Sequence, residues 1–409
     1  MGEQNTPKSP EPIAREPRVM LGDLTSGLLW PALLRATPLS LRTGRLALGL
    51  AAWVLILLLG NLNTLWSDKP AFIDALHGMI QRPLGWMGAS AMSLDARGFI
   101  SGAIALGDVP RALVEAYPVS TFALGLPMIA IWVRLGGAIA RSAAEEFCLD
   151  RVTPWNETMR FSLRKWAALF AAIVAPLAVV AVLALVLAVL GLLFAVPVAH
   201  LLPAVLYPVF LLVGALAVII TILWVIGHPM LVPGVACEGT DAFDAVQRAF
   251  AYVLARPMRL VLYGAILIIQ GVIIFGLANG VIGGIAGFTA TTSGAFIGDT
   301  PREILTPIPD STPVSQRSAE TPRITLAGFV QEEGGEDAEA AESEPSGPIA
   351  THGWSRRVVN FWTGALELLL GAFFVSYFFT ASTILYLLLR RLCDGQDVAE
   401  LWMPAPDQG

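Results

Sequence analysis

Arg134 and Glu367 are the ionisable residues that fall inside long apolar runs of the chain. Charge at membrane depth is costly and often serves ion or solute pathways, so these two are the first candidates for chemistry. Arg134 lies one or two turns from the end of its run and is able to snorkel to the interface; Glu367 lies near the start of the last run. Gln270 and Asn279 fall in the fifth run and suit hydrogen bonds across helices. The four histidines, His77, His200, His228 and His352, are scattered, and no pair has the spacing of a zinc protease motif. The chain has no Gly-Lys-Ser/Thr phosphate loop and no Gly-x-Ser-x-Gly nucleophile elbow. Cys148, Cys237 and Cys393 are far apart and odd in number, which argues against a disulfide framework. The sequence thus offers no catalytic residue, no metal set and no cofactor site, and a non-enzymatic role is expected.

These residues must be positioned by membrane helices. Of 409 residues, 55% are hydrophobic and 14% charged, against about 25% charged in an ordinary soluble domain. Apolar runs of about 20 residues require helices, because lipid satisfies no backbone group. The expected fold is all-α, a polytopic transmembrane helical bundle of about six spans. They fall near 44–65, 119–140, 166–196, 204–226, 260–289 and 361–389. Pro176 is the expected kink of the third. In the fifth, Gly276, Gly280 and Gly284 recur every four residues, a candidate helix-contact face.

The chain is organised around a duplicated elbow. TPWNETMRFSLRK (153–165) and TDAFDAVQRAFAYVLARPMR (240–259) each lead into a span. Thr153 and Thr240 suit N-caps. Trp155, Met159, Ser162, Leu163 and Trp166 share one helical face, as do Phe243, Val246, Phe250 and Val253. Trp155, Trp166, Phe243 and Phe250 are the candidate interfacial residues. Such helices suit either the headgroup layer or a connector packed on neighbouring helices.

Residues 1–21 read as a disordered polar tail and 22–289 as the membrane domain. In the loop after span one, Phe72, Ile73, Leu76, Met79 and Ile80 form the apolar face of a short amphipathic helix. Residues 290–358 form an acidic low-complexity loop with 11 acids and 5 arginines, matching the whole chain's net charge of −6. The sixth span, 359–391, and a tail, 392–409, follow. Basic residues flank the elbows and close span six at Arg390 and Arg391, so the positive-inside rule puts both termini and both elbows in the cytoplasm. The loop then faces outward. Arginine outnumbers lysine 23 to 3, in keeping with a bacterial inner-membrane protein. Expected partners are membrane lipids, with a protein on the elbows or the acidic loop, and no nucleic acid.

The segments CLDRVTPWNETMRFSLRKW and CEGTDAFDAVQRAFAYVLARP resemble those of a broad group of bacterial multi-pass proteins. That group is akin to the membrane domain preceding some glycerophosphodiester phosphodiesterases. The resemblance covers roughly 119–290. It implies a membrane module with no catalytic residues of its own, and the chain shows no phosphodiesterase domain. A scaffold that organises lipids or partner proteins is the expected function; a small-solute or lipid transporter is the alternative.

Overall fold

The computed structural model describes residues 29–195, 201–294, 351–397 and 399–403. Among these every regular element is helical. A 3₁₀ turn, Trp30–Arg35, leads into α1 (Ala36–Ser40) and α2 (Thr43–Gly60). Next come α3 (Phe72–Met92), α4 (Ala96–Ala116), α5 (Pro118–Ala123) and α6 (Gly125–Leu149). The first elbow is α7 (Trp155–Arg164), followed by α8 (Trp166–Gly191), α9 (Leu201–Val205) and α10 (Tyr207–Glu238). The second elbow is α11 (Ala242–Ala255), followed by α12 (Pro257–Gly294) and α13 (Thr351–Asp394). Six segments are long and apolar enough to cross a membrane, in or around α2, α6, α8, α10, α12 and α13. This is a multi-pass membrane protein.

The helix limits differ from the expected spans in an instructive way. The second run extends to Leu149 rather than 140, and the fourth to Glu238 rather than 226. Hydropathy stops where charge begins, but those last turns are wrapped by protein rather than lipid. The residues Leu135–Phe147 of α6 and Met230–Cys237 of α10 are buried without a break. So are residues 379–390 of α13. The sixth span is the central one: 78% of its apolar window is buried, against 0% in α10 and 11% in α8. At about 1.5 Å per residue α13 is about 66 Å long, roughly twice a hydrocarbon core of about 30 Å.

Small residues let the central helices meet. A Cβ at Gly136 would run into the Phe379 ring, and one at Gly49 into the backbone of Ala372. Ser376 Oγ donates to the Ser40 carbonyl at 2.6 Å, fixing α1 across α13. The glycine face of the fifth span behaves differently. A Cβ at Gly276, Gly280 or Gly284 would meet nothing within 4 Å among the described residues. The expected contact is therefore not made among the described residues. Pro176 sits inside α8, which runs unbroken from Trp166 to Gly191.

The loop after span one also departs from expectation. It holds two helices of 21 residues each, α3 and α4, packed as an antiparallel hairpin. The expected apolar face is used in that packing: Ile73, Leu76, Met79 and Ile80 lie against Phe72, Val109, Leu113 and Tyr117. The partner helix escaped notice because Gly98, Gly102, Gly107 and Pro110 weaken its helical signature. The polar tail (1–21), most of the acidic loop and the last residues of the C-terminal tail lie outside the described residues.

Candidate functional site

Each elbow folds back along the final turns of the helix before it. Thr153, just ahead of α7, donates from its hydroxyl to Glu145, and Ser162, near the end of α7, donates to the Arg134 carbonyl. In the second unit Gly234 faces Ala245, while Gly227 faces Ala249, Phe250 and Val253. Both reversals use a left-handed residue as helix stop, Asp150 (φ 50°) and Gly239 (φ 61°). The threonines are not the caps. Pro154 holds that position in α7, and Asp241 caps α11 by accepting from the Asp244 N–H at 3.0 Å. Because α7 begins at Trp155, Thr153 stands one residue ahead of the cap, and its hydroxyl donates to the charged, buried Glu145. The Thr240 hydroxyl is buried with no hydrogen-bond partner among the described residues.

Three arginines, each no more than 2% exposed, are matched to carboxylates at this end of the bundle. Arg45 of α2 pairs with Glu146 of α6 and donates to Ser142 Oγ at 3.1 Å and to the Ser142 carbonyl at 2.9 Å. Arg42 adds a second cation on Glu146 at 2.7 Å. Arg141 pairs with Glu145 at 2.6 Å, one turn along α6. Arg390 of α13 pairs with Glu238 of α10 at 2.7 Å, and the Tyr386 hydroxyl donates to the same carboxylate at 3.3 Å. Arg248 of α11 reaches Asp244 at 3.1 Å and Glu238 at 3.8 Å. Tyr252 donates to Asp394; burial, and this bond to a carboxylate, push its phenol up.

The C-terminal segment is strapped over both elbows. Arg141 Nη1 donates to the carbonyls of Ala236 (3.1 Å) and Trp402 (2.8 Å). Arg390 Nη2 donates to those of Asp397 and Glu400. Trp402 N–H returns a bond to the Cys237 carbonyl at 3.2 Å. The Trp402 ring lies where Gly239 would carry a Cβ, so the glycine serves both the left-handed turn and the close approach. Arg141 stacks over Phe161 at 5.0 Å and Lys165 over Trp402 at 5.7 Å. Lys165 Nζ also donates to the Gly239 carbonyl at 2.6 Å, joining the start of α8 to the second elbow.

This arrangement fixes helix register. The carboxylates of Glu145, Glu146 and Glu238 each accept from more than one donor of the chain itself. Among the described residues no group of three metal-ligating side chains is present.

The residues singled out in the sequence are spread rather than gathered. Arg134 is exposed midway between Pro118 and Leu149, not near a helix end, because α6 runs nine residues further than its apolar run. Glu367 is half-buried on α13, and Asn279 is half-buried on α12. Gln270 Nε2 donates to the Leu34 carbonyl (3.1 Å) and Thr37 Oγ1 (2.6 Å), tying α12 to the N-terminal segment. Trp155, Trp166 and Phe243 are exposed, and Phe250 is half-buried against α10. The elbow faces that pack inward are instead Thr158, Phe161 and Ser162, and Ala245, Ala249, Tyr252 and Val253.

Sequence reasoning missed the ion-pair layer. Arg141 and Glu145 stand at i, i+4, a legible signal; Arg45 and Glu146 are 101 residues apart and carry none. No protein family, no curated protein and no solved structure matches the chain.

Proposed function

We propose that this protein is a non-enzymatic membrane scaffold that organises lipid around its elbows. One observation carries the reading: the charges of the elbow end bind the chain to itself, while Trp155, Trp166 and Phe243 point outward from the clamped platform. Aromatic residues of this type favour the headgroup level of a bilayer. The reading places the protein in a bacterial inner membrane with both termini and both elbows cytoplasmic, supported by the arginines that flank them. The resemblance to the membrane module of glycerophosphodiester phosphodiesterases agrees with a lipid-facing role.

The test is lipid retention. Wild type and a Trp155→Ala/Trp166→Ala/Phe243→Ala variant are extracted, and co-purifying phospholipid is quantified alongside the melting temperature. The expected result is lost lipid at unchanged melting temperature. Solute or lipid flux in vesicles, abolished by Arg134→Ala or Glu367→Gln, would instead establish a transporter. Orientation is read with an impermeant maleimide in spheroplasts. Cys237 is fully buried and cannot report, so Cys393, which is partly accessible, is the probe. It should label only after the membrane is opened.

A further inference from the structure

We propose that the α3–α4 hairpin is an interfacial arm whose apolar face rests on membrane lipid at the end of the bundle opposite the elbows. The inference needs only the six spans and holds whether the chain is a scaffold or a transporter.

The arm has a fixed root. Asn63 donates to the Pro70 carbonyl at 3.0 Å and accepts from the Phe72 N–H at 2.7 Å. Phe72 and Tyr117 meet edge to face at 5.9 Å, joining the first residue of α3 to the end of α4. Lys69 Nζ donates to the Ala116 carbonyl at 2.5 Å. Ile56 of α2 and Leu124 and Met128 beside and within α6 complete this small core. These three lie within about two turns of the ends of their helices, so the arm leaves the body where the spans end. Beyond the root, α3 and α4 pack chiefly on each other, and each is about 30 Å long.

The hairpin is two-sided. Its seam is set by Pro83, Met87 and Ser90 of α3 against Gly98 and Gly102 of α4. At about 100° per residue, an antiparallel pair turns the corresponding flanks of its two helices the same way. Leu84 then shares a side with Phe99, Ile100 and Val114. Arg82, Arg97, Asp108 and Glu115 share the other, together with Trp86 and Ile104. Among the described residues nothing covers the apolar side: Leu84 is 49% exposed and Ile100 57%. At the tip Leu94 holds a left-handed backbone (φ 56°) and is 91% exposed.

Lipid is the occupant that fits. Leu58, Val119 and Phe122, on the segments that adjoin the root, are exposed and apolar as well, so lipid-facing surface reaches the base of the arm. Arg82, Arg97, Asp108 and Glu115 lie on the far side, with Arg111 on the outer edge between the two, as in a helix lying in the headgroup layer. With both signs present among them, attraction to the membrane rests on apolar burial.

The experiment uses the full chain in nanodiscs of phosphatidylethanolamine and phosphatidylglycerol, with Cys148→Ala, Cys237→Ala and Cys393→Ser. Spin labels are placed at Leu84→Cys, Phe99→Cys and Val114→Cys, and on the other side at Arg97→Cys, Ser101→Cys and Asp108→Cys. Collision rates with oxygen, which partitions into lipid, and with a water-soluble nickel chelate are compared. The oxygen-to-nickel ratio should be several-fold higher on the apolar side. Equal ratios would place the arm in water and overturn the proposal. Labels shielded from both reagents with dipolar broadening would show a second copy covering the face, which also overturns it. Should the cysteine replacements prevent folding, the unsubstituted chain is photolabelled with a lipid carrying a diazirine near its headgroup. Crosslinks in peptides covering 84–104 are expected, and their absence counts against the arm.

Discussion

Arg45, Arg141 and Arg390 at the elbow end are 1–2% exposed and each meets a carboxylate, whereas Leu84 and Ile100 in the hairpin at the opposite end stand 49% and 57% exposed. The first region takes charge out of water and satisfies it with protein. The second leaves apolar surface without a neighbour among the described residues. In a soluble protein each would be unfavourable. In a membrane protein they divide the labour: the elbow end fixes the register of α2, α6, α10 and α13, and the hairpin presents a face to its surroundings. If that division is right, substitutions should cost stability at one end and leave it unchanged at the other.

The largest effect is expected from breaking a buried pair. Glu145→Ala strands Arg141, and Glu238→Ala strands Arg390; leaving a buried charge uncompensated costs about 3–5 kcal/mol. Either should lower the melting temperature of the purified protein sharply. Arg141→Met/Glu145→Leu should recover much of the loss, since it removes both charges at similar volume. Arg111→Ala breaks an ion pair at the hairpin whose partners are both exposed and should leave the melting temperature unchanged. Equal effects at both ends would break the comparison.

Next come the glycines of the two halves. Gly136→Ala forces a methyl into the Phe379 ring, and overpacking of this kind costs about 1–3 kcal/mol. Gly276→Ala meets no described neighbour within 4 Å, so the better helix propensity of alanine, worth up to about 1 kcal/mol, should leave the protein equal or more stable. A loss at Gly276 would show that this face is covered by something beyond the described residues.

A smaller and more local effect is expected at the strap. Gly239→Ala places a Cβ in a left-handed turn, at about 1–2 kcal/mol, and against the Trp402 ring. The C-terminal segment should be released before the bundle melts, seen as earlier proteolytic cleavage after residue 394.

What the chain disclosed in advance follows the same division. Long apolar runs announce spans because lipid is a uniform solvent, so six were legible from hydropathy alone. The elbows were legible as amphipathic units, but their inward faces only in part. Trp155 and Phe243, read as interfacial, are exposed, and Ser162 and Val253 of the faces drawn from the sequence are buried; Thr158, Phe161, Ala245 and Ala249, which the close approach of α6 and α10 also turns inward, lay outside those faces. The ion-pair layer was hidden by distance: Glu238 and Arg390 meet across 152 residues. Charge at a span end reads equally well as a topology signal, and that is how Arg390 first presents itself.

The smallest effect tests whether the hairpin root, unlike the elbow end, holds a charge at a cost. Asp74 is half-buried in α3, and burial raises its carboxyl above the usual aspartate value; the charge of His77 opposes this less strongly. The Asp74 carboxylate in turn raises the Tyr117 hydroxyl, behind the effect of burial on that group. A raised value means that the folded chain holds the proton more tightly than the unfolded one. The stability this provides is present in full below the unfolded value of about 3.8 and is lost as pH climbs through the folded value. Above that point the wild type carries a poorly solvated carboxylate. Asp74→Asn removes it, so the variant should melt higher than wild type at neutral pH. The two curves should converge as pH falls below about 3.8, where Asp74 becomes protonated in both states. Melting temperature followed against pH for both proteins is the measurement. A variant that melts below wild type at neutral pH, with the gap closing toward acid, would mean that Asp74 is stabilised as an anion, and the root would then belong with the elbow end as a second site of matched charge.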